Sequence, residues 1–362
     1  MSIKVLIATP LYPPDIGGPA TYTTLLEREL PQHGYEVTVV SFGASRHLPK
    51  VFRHIHFFVR VFRAARGQDI VLAQDPVSVG LPSMYAAKLR RKKFVIRMPG
   101  DYAWEQSTQR FGVIDTIDVF QKKRYGFRVE LLRSLQQFVT RRADAIMTPS
   151  NYFSDLVCGW GVRPEAVTTV YNGIDTTSTP KEISKPSGTI MVTAGRLVPW
   201  KGMDFLISLL PTLSDWKLYI IGDGPQRMAL EAQAVRLGVT DRVVFLGSLP
   251  RAEVLGWCAA ADAFVLNTHF ESFSFQIAEA MHSGARIITN RIGSLPELVI
   301  DGEEGVLLTP NDTDAYVAAL RSIETDTAAW EQRSIQAQKK AKQFSIAHTV
   351  SGVHAVCTKL VQ

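Results

Sequence analysis

Cysteine is scarce in this chain of 362 residues: the three present, Cys158, Cys258 and Cys357, are scattered, odd in number and form no CxxC. Neither a disulfide framework nor a thiolate metal site is indicated, and a reducing cytoplasm is the natural compartment. Long apolar runs are also missing, since none approaches the ~18 residues of a membrane-spanning helix. The N-terminal stretch MSIKVLIATPLYPPD is broken by Pro10, Pro13, Pro14 and Asp15 and lacks a small-residue cleavage site, so it reads as a first strand rather than a signal peptide. There is no internal repeat, no low-complexity tract, no G-x-G-x-x-G, no paired-aspartate DxD placed to hold a metal ion, and no motif that reads RNA or DNA. Acidic residues are absent between Glu36 and Asp69, an interval that holds Arg46, Lys50, Arg53, Arg60, Arg63 and Arg66.

What is present is a globular composition, 46% hydrophobic, of a length that suits two domains. Residues 1–175 hold 23 Lys and Arg against 15 Asp and Glu, whereas the remainder holds 17 against 19. The first half is therefore the basic half, suited to phosphorylated or anionic lipid partners. Short β-branched runs alternate with segments of helical period: IKVLIAT, VTVVSF, DIVLAQ, KFVIRM and AIMTPS first, then TIMVTAG, WKLYIIG, VVFLG, AFVLN and ARIITN. This is the rhythm of parallel βαβ units. Between the two series, TTSTPKEISKPSG is polar and aperiodic. The reading is an N-terminal Rossmann-like domain over 1–174, a linker over 175–188, a C-terminal Rossmann-like domain over 189–344, and a terminal helix over 345–362 that packs back on the first domain.

Several segments sit where strands end and ligands bind in open α/β sheets. GRLVPWKG (195–202) follows TIMVTA and sets Arg196 and Lys201 five residues apart, a guanidinium and an ammonium able to clamp a diphosphate; a solvated basic loop is the plain alternative. HFESFSFQIAEAMHSG places Glu271 and Glu279 on either side of a strand-to-helix junction, where unpaired helix N–H groups face phosphate or sugar oxygens and the carboxylates accept from hydroxyls. In PPDIGGPATY (13–22), Gly17 and Gly18 permit close backbone approach, although a ligand-free turn would use them equally. GDGP (222–225) is a tight turn or a cleft wall. MPGDYAWE (98–105) joins Asp101 and Glu105 to Tyr102 and Trp104, the acid and aromatic mixture of a sugar cleft, with a capped helix start as the alternative.

Together with NGID (172–175) and IGSLPELVIDGEEGVLL (292–308), these segments resemble the retaining glycosyltransferases of family 4 over nearly the whole chain. The resemblance implies the GT-B fold: two facing Rossmann-like domains with parallel sheets and a catalytic cleft between them, closing around the donor. It implies that Arg196 and Lys201 bind the donor diphosphate with Gly17 and Gly18. Glu279 would bind the ribose, Glu271 with Phe273, Ser274 and Phe275 the transferred sugar, and Gly247, Ser248 and Leu249 the base. Asp101 stands where members carry a His or Asp near the anomeric carbon. Ser272 and Ser274 depart from the glycines often found in members, which would cost energy if the loop needed positive φ, or would add hydroxyl donors for phosphate.

The activity so implied is transfer of a hexose from a nucleoside-diphosphate sugar to a hydroxyl of a glycan or lipid-linked acceptor, with retention, without a cofactor or metal, in polysaccharide or glycolipid assembly. A phosphorylase or epimerase of the same fold, and a non-catalytic nucleotide-sugar-binding subunit, are the rival readings. KVFRHIHFFVRVFRAAR (50–66) aligns Phe52, Ile55, Val59 and Phe62 on one helical face with arginines off it. That face packs on the sheet, lies on an anionic membrane, or does both, so the expected place is the cytoplasm, peripheral on the plasma membrane.

Overall fold

The alternating β-branched runs become two parallel six-stranded sheets, each covered on both faces as all-parallel sheets require. The computed structural model describes residues 2–15 and 17–362, without the side chains of Lys50 and Val51. Ile16 of PPDIGGPATY and the Lys50 side chain of the basic interval thus lie outside the described residues. The chain divides into two compact units, 1–171 with 347–362, and 172–346.

In the first unit the strands are β1 (Ile3–Thr9), β2 (Tyr35–Ser41), β3 (Ile70–Ala73), β4 (Lys93–Arg97), β5 (Ala145–Thr148) and β6 (Val167–Thr169). The helices are α1 (Gly18–Glu29), α2 (Lys50–Ala64), α3 (Gly80–Leu89), α4 (Tyr102–Phe111), α5 (Ile117–Lys122), α6 (Phe127–Thr140) and α7 (Asn151–Gly159). The strand order is β2-β1-β3-β4-β5-β6, with Val5 opposite both Val37 and Ile70. The chain leaves β1 for β2 on one side and returns to β3 on the other, so the switch point lies between β1 and β3. β3 is buried at every residue. On α2 the residues that go fully inside are Phe57, Val61 and Ala65, whereas Phe52 and Ile55 of the stripe expected to pack on the sheet are 64% and 54% exposed.

The second unit contains β7 (Thr189–Ala194), β8 (Trp216–Ile221), β9 (Val243–Gly247), β10 (Ala263–Leu266), β11 (Ile287–Asn290) and β12 (Val306–Leu308). Its helices are α8 (Met203–Leu209), α9 (Arg227–Arg236), α10 (Arg251–Ala260), α11 (Phe275–His282), α12 (Leu295–Leu298), α13 (Thr313–Thr325) and α14 (Thr327–Ala341). The order β12-β11-β10-β7-β8-β9 differs from that of the first sheet in placing two strands, β8 and β9, on one side of its first strand, and its switch point lies between β7 and β10. Both loops that carry the candidate donor residues, after β7 and after β10, therefore leave from one crevice. Met191, Leu218, Ile220, Val265 and Ile288 form the core beneath them with Trp330.

Residues 175–188, expected as the linker, lie against α10: Lys181 pairs with Glu253 at 2.9 Å, and Gly256 has no room for a side chain beside the Lys181 carbonyl. The last helix, α15 (Ile346–Val361), belongs to the first unit almost throughout, with Tyr35 Oη 2.9 Å from His354 Nδ1. Among the described residues no helix is long and apolar enough to cross a membrane.

Candidate active site

The loop after β7 separates its two cations by environment. Leu197 and Val198 are buried and anchor the loop, while Arg196 between them and Gly195 is exposed. Among the described residues Arg196 has no ion pair or side-chain hydrogen bond. A 3₁₀ turn over Pro199–Lys201 then folds the chain back, and the Lys201 ammonium closes on the Glu271 carboxylate, the two side chains being 12% and 8% exposed. Burial pushes the Glu271 carboxyl above the usual range, and Lys201 pulls it back. Arg196 and Lys201 thus differ: one is free to meet a ligand, the other is held by a carboxylate that a ligand would have to share.

Glycines lock these loops together. A Cβ on Gly202, where φ is +58°, would stand 2.0 Å from the Asn267 carbonyl oxygen; one on Gly293, where φ is +53°, would stand 2.4 Å from that of Glu271. Gly224 of GDGP presses on Leu197 in the same way, with a Cβ 2.4 Å from its carbonyl oxygen, and the Leu197 amide donates to Asp223 O at 3.0 Å. GDGP is therefore the support of the β7 loop. Asn267, fully buried at the end of β10, ties the arrangement laterally through Asn311, Asn290 and the Tyr316 hydroxyl.

Ser274 caps α11, its hydroxyl accepting from the Ile277 amide at 3.3 Å with φ of −98°. Neither Ser272 nor Ser274 has positive φ, so their departure from glycine carries no backbone strain, and the Ser274 hydroxyl is occupied by the cap. The amides of Phe275 and Gln276, at the start of α11, donate to no group among the described residues. Phe273 is buried edge-on against Phe275 and Phe344, which stiffens the loop ahead of those amides.

One turn into α11, Glu279 faces Arg251, Oε1 to Nη2 at 3.2 Å without the alignment of a hydrogen bond. Burial raises the Glu279 carboxyl, opposed by Arg251 and His282. Arg251 was not singled out in the sequence; its signal is its place just beyond LGSLP, the segment expected at the base. In that segment Gly247 has φ of +70° and accepts from Gly222 N–H at 2.8 Å, while Ser248 is exposed. Asp175 of NGID is held well below the usual carboxylate range by the hydroxyls of Ser178 and Thr177, with Arg251 adding to the effect.

In the first unit, Gly17 precedes α1 and touches Leu11, where a Cβ would be 2.8 Å from Cδ1, whereas Gly18 has open space in place of a side chain. Asp101 lies beyond β4, 1% exposed and filled: Trp104 N–H and Gln136 Nε2 donate to Oδ1 at 3.0 and 2.9 Å, and Gln121 Nε2 to Oδ2 at 2.8 Å. It caps α4 and anchors it to α5 and α6. The carboxylate of this motif with no hydrogen-bond donor among the described residues is Glu105, lodged where a side chain on Gly100 would be, 2.2 Å from its Oε1. Burial first, then Asp101 and Asp75, push the Glu105 carboxyl up to about 7.

The family model for glycosyl transferases group 1 matches residues 175–343, and that for glycosyltransferase family 4 matches residues 16–178. A glycogen synthase of Mycobacterium tuberculosis is 28% identical over 93% of this chain and 90% of its own length. A D-inositol 3-phosphate glycosyltransferase of Acidothermus cellulolyticus is 26% identical over 94% of this chain and 85% of its own. Among solved structures, Anabaena HepE in complex with UDP and glucose superposes with a TM-score of 0.79 at 19% identity, covering 98% of this chain and 99% of that one. The two matched segments, the two six-stranded sheets and the switch-point loops lead to one conclusion: the chain belongs to the family 4, group 1 glycosyltransferases of the GT-B fold.

Proposed function

We propose that the enzyme moves a hexose from a nucleoside-diphosphate sugar to a hydroxyl of a glycan or lipid-linked acceptor, with retention of configuration and without a metal ion. The observation that carries this reading is the exposed, unpaired Arg196 beside the Lys201–Glu271 pair and the free amides of α11, all at one switch point. Positive charge and aligned N–H groups there meet the negative charge that builds on a departing diphosphate. In this reading the protein cations Arg196 and Lys201 do the work that a metal ion does in other transferases.

The acceptor oxygen attacks the anomeric carbon on the face from which the diphosphate leaves. The new C–O bond forms as the old one breaks, and a diphosphate oxygen takes the acceptor proton. Glu271 binds sugar hydroxyls while keeping Lys201 in place, Glu279 accepts from the ribose, and residues 247–249 meet the base. Gly18 lets phosphate approach the backbone at the start of α1. Asp101 acts through the loop it caps. The UDP and glucose held by Anabaena HepE support a nucleotide-sugar donor, and the name of the Acidothermus relative supports a phosphorylated acceptor.

The test is thermal stabilisation by UDP-, GDP-, ADP- and dTDP-sugars, with Glu279→Ala as control, followed by NMR of the product's anomeric proton with EDTA present. A selective shift lost in the variant, and a retained configuration, are expected. No shift with any nucleotide, an inverted product, or loss of activity in EDTA would sink the corresponding part.

A further inference from the structure

α2 carries apolar residues on two faces. Phe57, Val61 and Ala65 fill the core, which leaves Phe52 and Ile55 outside with nothing covering them. Beside them opens a groove of about 520 Å³ between α2, α3 and α6, lined by Ile55, Phe58, Leu81, Tyr85, Leu89 and Leu135. Leu89 at its rim is 66% exposed. His54 is the lining residue able to carry charge near neutral pH, and burial together with Arg53 lowers its pKa.

The charged residues of α2 and α3, the helices that flank the groove, have one sign. No acidic residue occurs over 37–68 or 76–100, the stretches that contain α2 and α3, while Arg63, Lys88, Arg91 and Lys93 are exposed on them. The acids nearby are used internally: Asp75 accepts from the amides of Val77 and Val79, and Glu130 of α6 pairs with Arg133 at 2.9 Å. An apolar trough with a cationic rim is complementary to a hydrocarbon chain that ends in a phosphate. A peptide would bring backbone N–H and C=O groups into a lining with almost no partners for them, whereas an alkyl chain brings none.

We propose that this groove receives a hydrocarbon chain of an anionic bilayer lipid, with Phe52, Ile55 and Leu89 entering the acyl boundary and the arginines and lysines meeting headgroup phosphates. It deepens the lipid-linked acceptor of the proposed function and rests on that part of it: the first unit holds the protein at the surface where such an acceptor resides.

Vesicle flotation of the full chain tests this, with phosphatidylglycerol–phosphatidylcholine vesicles against phosphatidylcholine alone, at low salt and at 1 M salt, where the Debye length is about 3 Å. Wild type is expected on the anionic vesicles at low salt, with a residue of binding left at high salt from the inserted side chains. Ile55→Asp/Leu89→Asp, at two exposed positions, is expected to weaken binding about tenfold or more. Its nucleotide-induced rise in melting temperature should match wild type, which shows that the variant folds and separates this proposal from the donor reading. Three results overturn it: no binding by wild type, unchanged binding by the double variant, or a wild-type dimer that the double variant breaks, which would make a second copy of the chain the occupant.

Discussion

Replacing Glu105 with glutamine should stabilise the protein in a pH-dependent way. The carboxyl is largely buried, has Asp101 and Asp75 as neighbours and no donor among the described residues, so its pKa is raised from 4.5 to about 7. Below pH 4.5 the group is protonated in both the folded and unfolded chain and contributes nothing to the difference. Between pH 4.5 and 7 the unfolded chain releases the proton while the folded one keeps it, and stability falls as pH rises; above pH 7 the full penalty persists. The shift corresponds to about 3 kcal/mol, and partial access of solvent to the carboxylate brings the expected effect to about 1–3 kcal/mol. Glutamine keeps the shape and cannot ionise. At about 2–4 °C per kcal/mol for units of this size, Glu105→Gln should melt several degrees above wild type at pH 8, and the gap should close toward pH 5. Differential scanning calorimetry of both proteins across that range reads the difference directly. A gap that is constant with pH, or a variant less stable at pH 8, would refute the environment assigned to this side chain.

Three other changes separate chemistry from support. Arg196→Ala removes an exposed, unpaired cation, so urea unfolding should stay within about 0.5 kcal/mol of wild type while kcat falls about 10²–10³-fold. Lys201→Ala leaves Glu271 buried without its cation, so it should lose both activity and stability, and Lys201→Ala/Glu271→Gln should recover stability but not activity; additive stability losses would show that the pair is not coupled. Gly202→Ala drives a methyl into the Asn267 carbonyl at a left-handed φ, for a loss of about 2–5 kcal/mol in urea unfolding, and an unchanged midpoint would show that the two loops are not locked as described.

The alternation of β-branched runs with helical periods was enough to place two parallel sheets, because strands buried on both faces read as continuous apolar segments. The loops that carry the candidate donor residues were legible for a related reason: both leave the carboxyl ends of strands of the second sheet, and TIMVTAGRLVPWKG and AFVLNTHFESFS show the strand and the loop together. Asp101 was read as a site residue sooner than as a helix cap, and its filled state was not legible in MPGDYAWE, since two of the groups that fill it, Gln121 and Gln136, lie 20 and 35 residues away. Helical periodicity also could not choose the inward face of α2. Both Phe57–Val61–Ala65 and Phe52–Ile55–Val59 are apolar at helical spacing, and only the positions of β3 and α3 decide which is covered. Arg251 was hidden because its partner Glu279 lies on another helix.

The glycines of the second unit explain why one cation can remain unpaired. A free arginine is a natural partner for a nearby carboxylate, and Glu271 stands on the loop after β10, the strand paired with β7. Here Lys201 occupies it, because Gly202 turns the chain at φ +58° against Asn267 and brings the ammonium inward. Leu197, clasped by Gly224 and the Asp223 carbonyl, holds the preceding residue outward. The β7 loop therefore spends its buried cation on a carboxylate and keeps its exposed cation in water, where an unpaired guanidinium costs little. In the proposed reaction a diphosphate arriving there would have no internal ion pair to break at Arg196, and the binding energy of that contact would go undiminished to the charge that grows as the sugar leaves.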